Sequence, residues 1–280
     1  MTSSKQFISK RQIFTSWIFV VFLFVAEKGF AQKATVIDSI NYHRLESLNA
    51  VDSKVKDSLN LVLIENVKSL LRRKDFHKID LSKIDPSLSV KRISKPYFGF
   101  ISWSVLYPNT KGEDSVKYHT HILLREKRYH RLYNVKSNGK ETPLAMKSFD
   151  ISNWYGAIYY DAVPYKIKGD WHFMFLGWRE LEDYRQAKII ESVNLKADSV
   201  VFGEPKSLLK LIPRGRELIE YPKNVRLSLK YDAETESIYY DDMLKVGASV
   251  SPSFSFNGYK FDKKQNMWIQ HEDIDIKALE

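Results

Sequence analysis

The stretch that decides the fold is residues 154–195, WYGAIYYDAVPYKIKGDWHFMFLGWRELEDYRQAKIIESVNL. Aromatic and β-branched residues favour strands, and apolar residues that recur at every second position indicate a buried strand face. Three successive strands are predicted, at 156–167, 171–178 and 188–195, although the last segment also fits a short helix. Gly169-Asp170 joins the first two as a hairpin turn, because glycine accepts a positive φ at no steric cost.

The middle strand is expected to lie inside the protein, with a covering layer on each side. Its two faces carry Trp171, Phe173 and Phe175 on one side and His172, Met174, Leu176 and Trp178 on the other. Pro164 has no N–H donor, so its part of the preceding strand is predicted to be an edge, a bulge or an end. Gly177 is predicted to mark a bulge or a close approach of another group.

Residues 1–31 have the pattern of a cleaved export signal. Lys5, Lys10 and Arg11 precede an apolar run at 13–26, and Gly29 and Ala31 supply the small residues of a cleavage site after Ala31. The alternative is a membrane anchor, but a spanning helix needs about 20 apolar residues and this run is shorter. We therefore expect an exported protein, periplasmic or at the cell surface or secreted, with no integral membrane span once the signal is removed.

The composition of the chain excludes several classes of protein. The chain has no cysteine, which excludes disulfides, a lipid-modified cysteine and a thiol nucleophile. Its formal net charge is +10, of which the leader carries +3, and the Lys and Arg residues are scattered. A solvated basic surface is the simplest interpretation. We expect no nucleic-acid partner, because no nucleic-acid-binding motif is present, and no cofactor, because no phosphate-binding glycine loop or catalytic motif is present.

Residues 32–85 are predicted to be a helical lead-in of one helix or two, with an internal restart at Asp52 or Ser53. Apolar residues recur at spacings of three and four, the pattern of an amphipathic helix. The predicted core-facing stripe is Leu48, Val51, Val55, Leu59, Val62, Leu70 and Leu71. The predicted solvent side is Lys54, Lys56, Asp57 and Glu65. Packing on a sheet is the first interpretation and a partner-binding or coiled-coil helix is the second.

Residues 86–280 are predicted to be an antiparallel β domain. Further strands are expected at 97–107, 115–124, 129–135, 200–205, 216–221, 225–231, 237–241, 259–261 and 267–271. A polar loop at 108–114, an Asn-Gly turn at 138–139, an irregular surface loop at 251–258 and a frayed acidic tail after 271 separate or follow them. The predicted fold is therefore mainly β with an N-terminal α-helical segment, an antiparallel meander that forms a sandwich or an open barrel-like sheet.

Several strand-and-turn motifs resemble those of uncharacterised exported proteins of Bacteroidetes-type bacteria. They are WYGAIYY at 154–160, FLGW at 175–178, KII at 188–190, FGEP at 202–205 and VRLSLKYD at 225–232, and the resemblance covers roughly residues 95–270. In that group a short Asp/Asn/Gly turn commonly follows Gly-Trp, whereas RELED follows here. The resemblance implies export and β architecture and transfers no catalytic residue.

His119 and His121 are the first candidate site. Side chains two apart on a strand share a face, so this pair offers half of a zinc site. His130 is a third candidate across a hairpin. No fourth ligand is evident, and a polar strand face directed at solvent, with Lys117 and Arg125 beside the pair, is the expectation.

Paired carboxylates are the second candidate, since two of them support glycoside hydrolysis. Glu180, Glu182 and Asp183 follow the central hairpin, and Asp241 and Asp242 end a strand. Carboxylates in loops are common, and no catalytic residue is assigned.

The aromatic residues are the third candidate. A stacking platform for a glycan or a peptide would use Trp154, Tyr155, Tyr159, Tyr160, Trp171 and Trp178; core packing is the first interpretation. A non-catalytic exported module with a binding or accessory role in the cell envelope is the leading hypothesis, possible partners being an envelope glycan or protein. A glycan-directed hydrolase and a small outer-membrane barrel are the alternatives.

Overall fold

A computed structural model describes residues 35–107, 115–125, 130–137, 143–196, 199–246 and 249–272. Helices α1 (Val36–Asn49) and α2 (Ser53–Arg72) come first, followed by short 3₁₀ turns at Phe76–Lys78 and Leu81–Lys83. Fifteen strands follow within the described ranges and form three sheets. The predicted mainly β fold with an N-terminal helical segment is confirmed.

The three sheets are named A, B and C. Sheet A consists of β1 (Ser89–Ile93), β2 (Tyr97–Tyr107), β3 (Ser115–Arg125) and β4 (His130–Lys136), in that order. Sheet B contains β5 (Ile158–Ile167), β6 (Asp170–Glu180), β7 (Arg185–Leu195), β8 (Val200–Phe202) and β11 (Arg216–Pro222). Sheet C contains β9 (Leu208–Leu209), β10 (Pro213–Arg214), β12 (Leu229–Asp232), β13 (Ser237–Val246), β14 (Ser249–Asp262) and β15 (Met267–His271).

Neighbouring strands are antiparallel, except that β15 pairs parallel with β9. Sheet B has the order β11-β7-β6-β5, and β8 also pairs with β7. Sheet C has the order β10-β9-β15-β14-β13-β12. Strands that follow each other in the sequence are mostly neighbours, as expected for a meander.

The elements stack as four layers, helices on sheet A, sheet A on sheet B, and sheet B on sheet C. Ile40, Leu63 and Val67 share a buried cluster with Ile101 and Trp103 of β2. Side chains alternate along the strands of sheet B, so one row packs against sheet A and the other row against sheet C. Between sheets A and B lie Phe98, Phe100, Phe173 and Phe175, with the Phe98 and Phe173 rings stacked at 4.2 Å. Between sheets B and C lie Met174, Leu176, Ile238, Tyr259 and Trp268.

The predicted central position of residues 171–178 is confirmed. Strand β6 has β5 and β7 as neighbours and is covered on both faces, because Phe173 and Phe175 face sheet A while Met174 and Leu176 face sheet C. Strand β5, which contains Pro164, is an edge strand of sheet B, as the missing N–H requires. Gly177 also behaves as predicted, since a Cβ there would lie 2.8 Å from the Tyr159 ring. Residues 185–195 form strand β7, so the segment predicted as a strand or a short helix is a strand.

The helical lead-in is two helices, and the predicted restart at Asp52 is confirmed. Asp52 caps α2, with its Oδ1 accepting from the backbone N–H groups of Lys54 and Val55 at 2.9 Å each. Thr35 caps α1 in a reciprocal capping box with Asp38. Both arrangements satisfy N–H groups that a helix start leaves without partners.

The first half of the predicted core-facing stripe is wrong. Leu48 of α1, Val51 between the helices, and Val55 and Val62 of α2 are exposed, and the predicted solvent-side residue Lys56 is buried. The face that meets sheet A is Lys56, Asn60, Leu63, Val67, Leu70 and Leu71. Polar groups on the sheet explain the difference. Lys56 Nζ donates to the Leu106 carbonyl at 2.9 Å, and Asn60 bonds to side chains of β2 and β3.

Two predictions for the last third of the chain are wrong. Residues 225–228 are not strand, and β12 begins only at Leu229. The predicted irregular loop at 251–258 lies inside β14, whose register with β13 shifts at Asp241 and Met243 and so accommodates the irregular sequence as a bulge. The predicted final hairpin is present as β14 and β15.

Some predictions lie outside the described residues, namely the export signal at 1–31, the loop at 108–114, the turn at 138–139 and most of the tail after 271. Within the described ranges, no helix combines the length and the apolar character needed to cross a membrane.

Candidate functional site

The histidine pair lies beneath α2, so the expected solvent-facing surface is wrong. Trp103 stands opposite His119 in the β2–β3 register, so both side chains point to the same side of sheet A, the side that the helices cover. His119 and His121 are both buried. The indole of Trp103 stacks on both imidazoles, with ring centroids 5.1 Å from His119 and 5.3 Å from His121.

Asn60 of α2 links the helix to this cluster. Its Oδ1 accepts from Trp103 Nε1 at 2.9 Å, which leaves its Nδ2 to donate to His119 Nε2 at 3.1 Å. His119 Nε2 is therefore the acceptor nitrogen of a neutral ring. His121 Nδ1 lies 2.8 Å from Asn134 Oδ1, so this nitrogen carries the proton, and the buried Nε2 of His121 has no hydrogen-bond partner.

Burial lowers the pKa of both histidines. Loss of hydration disfavours the imidazolium, and the pKa falls from 6.5 to about 3 for His119 and to about 4 for His121. Positive charge on His121, Lys136 and Lys117 lowers the His119 pKa further, while the hydrogen bond to Asn134 partly offsets the shift at His121. Both imidazoles are thus neutral at pH 7 and act as packing and hydrogen-bonding groups.

The structure does not bring His130, the third candidate zinc ligand, to His119 and His121. His130 is exposed and stands opposite Arg125, whereas the register places Asn134 opposite His121 and Lys136 opposite His119. Among the described residues, no three His, Cys, Asp or Glu side chains come together as a metal site would require.

The five candidate carboxylates do not share bonding partners with one another. Glu180 forms an ion pair with Lys223, and Asp183 lies 3.9 Å from Arg185. Asp241 Oδ2 accepts from the Ser228 N–H at 2.6 Å. Asp242 Oδ1 accepts from Asn257 at 2.9 Å, and Glu182 is exposed. None of the contacts between described residues joins the carboxylates of the 180–183 loop to those of β13.

Three of the six candidate aromatic residues are core, as the first interpretation predicted. Trp154, Tyr155 and Tyr159 are buried, and Trp154 stacks on Phe202 with centroids 5.6 Å apart. The other three, Tyr160, Trp171 and Trp178, are half-buried, and two of their polar atoms are engaged. Tyr160 donates to the Leu229 carbonyl at 3.1 Å and Trp178 to Gln186 at 2.9 Å. The six residues therefore do not form one exposed platform.

A buried ion pair sits among these aromatic residues, and the sequence did not reveal it. Glu191 of β7 and Arg216 of β11 are register partners, and both side chains have no exposed surface. One Glu191 oxygen accepts from Arg216, and the other accepts from Tyr155 at 2.7 Å and from Tyr159. Arg216 also donates to the carbonyls of Leu144 and Lys147, at 2.6 and 3.1 Å. Such a closed network has no accessible group for a substrate, so its role is structural.

Gly203 lies against this ion pair and provides a test of it. Its φ is +73°, and a Cβ would lie 2.7 Å from Arg216 Nη2. Gly203→Ala is therefore expected to lower the free energy of unfolding by roughly 2–3 kcal/mol, measured by urea unfolding. The matched control is Gly169→Ala, where φ is also positive but the space is open, with an expected loss of about 1 kcal/mol. Equal losses in both variants would contradict a steric role for Gly203.

The outer surface of the helical layer is the remaining candidate. Of the fourteen large apolar side chains that are exposed among the described residues, seven lie on α1, on α2 or between them. They are Tyr42, Leu45, Leu48, Val51, Val55, Leu61 and Val62. Sequence reasoning identified four of these residues as part of an apolar stripe but directed them at the core. Exposed apolar side chains gathered on one surface are typical of sites that bind a partner.

Comparison of the sequence with protein-family models gives no match. Comparisons with curated proteins and with solved structures give none either.

Proposed function

We propose that this protein is an exported, non-catalytic module of the cell envelope that acts by binding a partner. One observation carries the proposal, the gathering of exposed apolar side chains on the helical layer, which holds half of those found in the described residues. A folded protein gains no stability from leaving such side chains in water, so a second role for them is expected.

The proposed compartment rests on the first 31 residues. A basic start, an apolar run and small residues before the cleavage site are typical of an export signal. The absence of cysteine throughout the chain is compatible with any compartment, since stability then comes from the packed core alone. Mass spectrometry of the protein recovered from a bacterial envelope fraction should give an N-terminus at Gln32, and an intact residue 1 would contradict export by this route.

The non-catalytic part of the proposal rests on the arrangement of the candidate groups. The carboxylates that hydrolysis would need lie with separate partners, and the network that contains Glu191 is closed to solvent. The histidines are neutral and covered by α2. These features support binding over glycan hydrolysis, which needs two carboxyl groups about 5–10 Å apart across a cleft.

The proposal is tested by thermal unfolding of the full chain with a panel of glycans, peptidoglycan fragments, lipids, divalent metals and envelope proteins. A ligand at about 100 times its Kd should add about 2.7 kcal/mol to the free energy of unfolding. A parallel assay measures the release of reducing sugar from each glycan. A stabilising compound without turnover supports the proposal, and catalytic turnover of any of them contradicts it.

A further inference from the structure

We infer that Lys188, together with the rings of Tyr160 and Trp178, binds the carboxylate of an acidic sugar residue in a glycan. This inference rests on the proposed binding function, for which it names a ligand class and a second surface. The three residues are called the Lys188 site. They lie on the side of sheet B that faces sheet C.

The strand register places Trp178 and Lys188 side by side. Trp178 of β6 is the partner of Lys188 of β7, and Lys188 is in turn the partner of Ile219 of β11. Residues paired across antiparallel strands have their side chains on the same face, so the three form a row across sheet B. All three are half-buried, so each keeps part of its surface in solvent. The row is therefore accessible from outside the protein.

A β-bulge brings Tyr160 to the same row. The pairing of β5 with β6 shifts register between Tyr159 and Asp161, so Tyr160 is the extra residue of the bulge. Ala162 packs between sheets A and B, whereas Tyr160 packs toward sheet C. In a regular strand these two side chains would share a face. The bulge thus turns the Tyr160 ring toward Lys188, whose Nζ lies 4.7 Å from the ring centroid.

The ammonium of Lys188 has no ion-pair partner among the described residues. Loss of hydration lowers the pKa of Lys188, and no opposite charge is close enough to raise it. Four carboxylates lie within two residues of the Lys188 site or of Ile219 in the sequence, and each bonds to another cation. They are Asp161 with Lys91, Glu180 with Lys223, Glu217 with Arg214, and Glu220 with Arg185.

An unpaired cation in a half-buried position points to an anionic ligand. Water solvates such a charge incompletely, which costs free energy of folding, and charged groups that lose solvent are normally paired. The contact with the Tyr160 ring compensates only part of this cost. A carboxylate from a ligand would supply the missing charge, and an ammonium binds it as a point charge without fixing its orientation.

The two rings favour a sugar as the carrier of that carboxylate. Trp178 Nε1 donates to Gln186 at 2.9 Å, and the Tyr160 hydroxyl donates to the Leu229 carbonyl at 3.1 Å. Both polar atoms are thus occupied within the protein, so the surface that the rings offer to a ligand is apolar. Rigid aromatic rings bind the C–H face of a sugar ring with little loss of side-chain entropy. An acidic peptide would instead have to order its own flexible side chains.

The experiment uses the full chain and measures binding by isothermal titration calorimetry, at low salt and at about 0.5 M salt. The probes are a trisaccharide of galacturonic acid, the neutral trisaccharide of galactose, sodium acetate and a hexaglutamate peptide. The variant is Lys188→Met, which keeps an unbranched side chain and removes its charge. The matched control is Lys260→Met, at an exposed lysine of β14. Melting temperatures of both variants are recorded without ligand.

The acidic trisaccharide is expected to bind at least tenfold more tightly than the other three probes. Its binding should weaken at higher salt and fall about tenfold in Lys188→Met. Without ligand, Lys188→Met should melt about 2–4 °C above the native chain, because it removes a charge that has no partner. Lys260→Met should match the native chain in both measurements.

Several results would overturn the inference. They are equal affinity for the neutral sugar or the peptide, no binding of the acidic trisaccharide, unchanged affinity in Lys188→Met, and a lower melting temperature of that variant. If the acidic trisaccharide fails while another envelope component stabilises the chain, the proposed binding function stands and this site is wrong. If the trisaccharide binds at Lys188 and is cleaved, the site stands and the non-catalytic role is wrong.

Discussion

Glu191→Gln is expected to lower the free energy of unfolding by about 3–5 kcal/mol. The reason is the state in which the substitution leaves Arg216. Both side chains have no exposed surface, and the glutamine amide is neutral, so the guanidinium loses the only anion bonded to it within the described structure. A buried charge without a counter-charge costs more than the loss of one hydrogen bond. For a chain of this size the melting temperature should fall by about 10 °C.

Glu220→Gln is the matched control for that prediction. Glu220 also lies in sheet B and pairs with Arg185 at 2.6 Å, but both partners are about half exposed. An exposed ion pair contributes about 0–1 kcal/mol, so this variant should differ little from the native chain. Urea unfolding followed by tryptophan fluorescence measures both.

A double-mutant cycle separates the ion pair from general damage to the core. Glu191→Gln with Arg216→Gln should cost about 2 kcal/mol less than the sum of the two single variants, because the double variant has no unpaired charge. Two results would contradict a stabilising role of the ion pair between β7 and β11. One is strict additivity of the two single variants, and the other is a loss of unfolding free energy in Glu191→Gln no larger than in Glu220→Gln.

Acid is expected to destabilise the protein between pH 7 and pH 5 through His119 and His121. An unfolded histidine has a pKa of about 6.5, and the folded values are about 4 for His121 and about 3 for His119. The unfolded state therefore binds more protons as the pH falls through 6.5, and folding loses free energy until the pH reaches the folded pKa values. The loss from pH 7 to pH 5 is about 2 kcal/mol for each ring, or about 4 kcal/mol for the pair.

The groups around the two rings do not remove this effect. Lys117 and Lys136 disfavour a positive charge on His119. At His121, Lys68 disfavours the positive charge and Glu65 favours it. Burial has a larger effect on both pKa values than any of these charges. The H119Q/H121Q variant should therefore show a much flatter change in stability between pH 7 and pH 5. His271→Gln, which removes an exposed imidazole, should retain the native slope. If the double variant keeps the native slope, the acid sensitivity arises elsewhere.

Strand positions could be predicted best where alternation and turn chemistry agreed. The predicted hairpin is present, although its two turn residues are Lys168 and Gly169, with φ values of +51° and +96°, one residue before the predicted Gly169-Asp170. The alternation of β6 correctly indicated two covered faces. Periodicity could not tell which of two stripes on α2 would pack, because both contain apolar residues at helical spacing. The side of α2 that packs on the sheet is the one that carries Asn60, which bonds to Trp103 and His119. These two partners lie on strands distant in the sequence, so the helix sequence alone does not indicate them.

The ion pair of Glu191 and Arg216 escaped prediction for the same reason. Glu191 shares a face of β7 with the core residues Ile189 and Val193, but its partner Arg216 comes from β11, and nothing local fixes that pairing. Four of the exposed apolar residues of the helical layer, Leu48, Val51, Val55 and Val62, were placed in the predicted apolar stripe but assigned to the core. Their exposure depends on how the helices rotate on sheet A, which helical spacing alone does not fix.

The four layers follow the order of the chain, from the helices to sheet A, sheet B and sheet C, except that β9 and β10 of sheet C precede β11 of sheet B. Ribosomes deliver the N-terminus first, so the layers become available for folding one after another. A nascent chain that has emerged as far as Lys136 holds both helices and sheet A, yet the side with Phe98 and Phe100 has no cover until β6 follows. Such intermediates aggregate readily. We therefore expect this apolar side to stay uncovered until residues 158–195 have been made, and a chaperone that holds the growing chain for that time would prevent its aggregation.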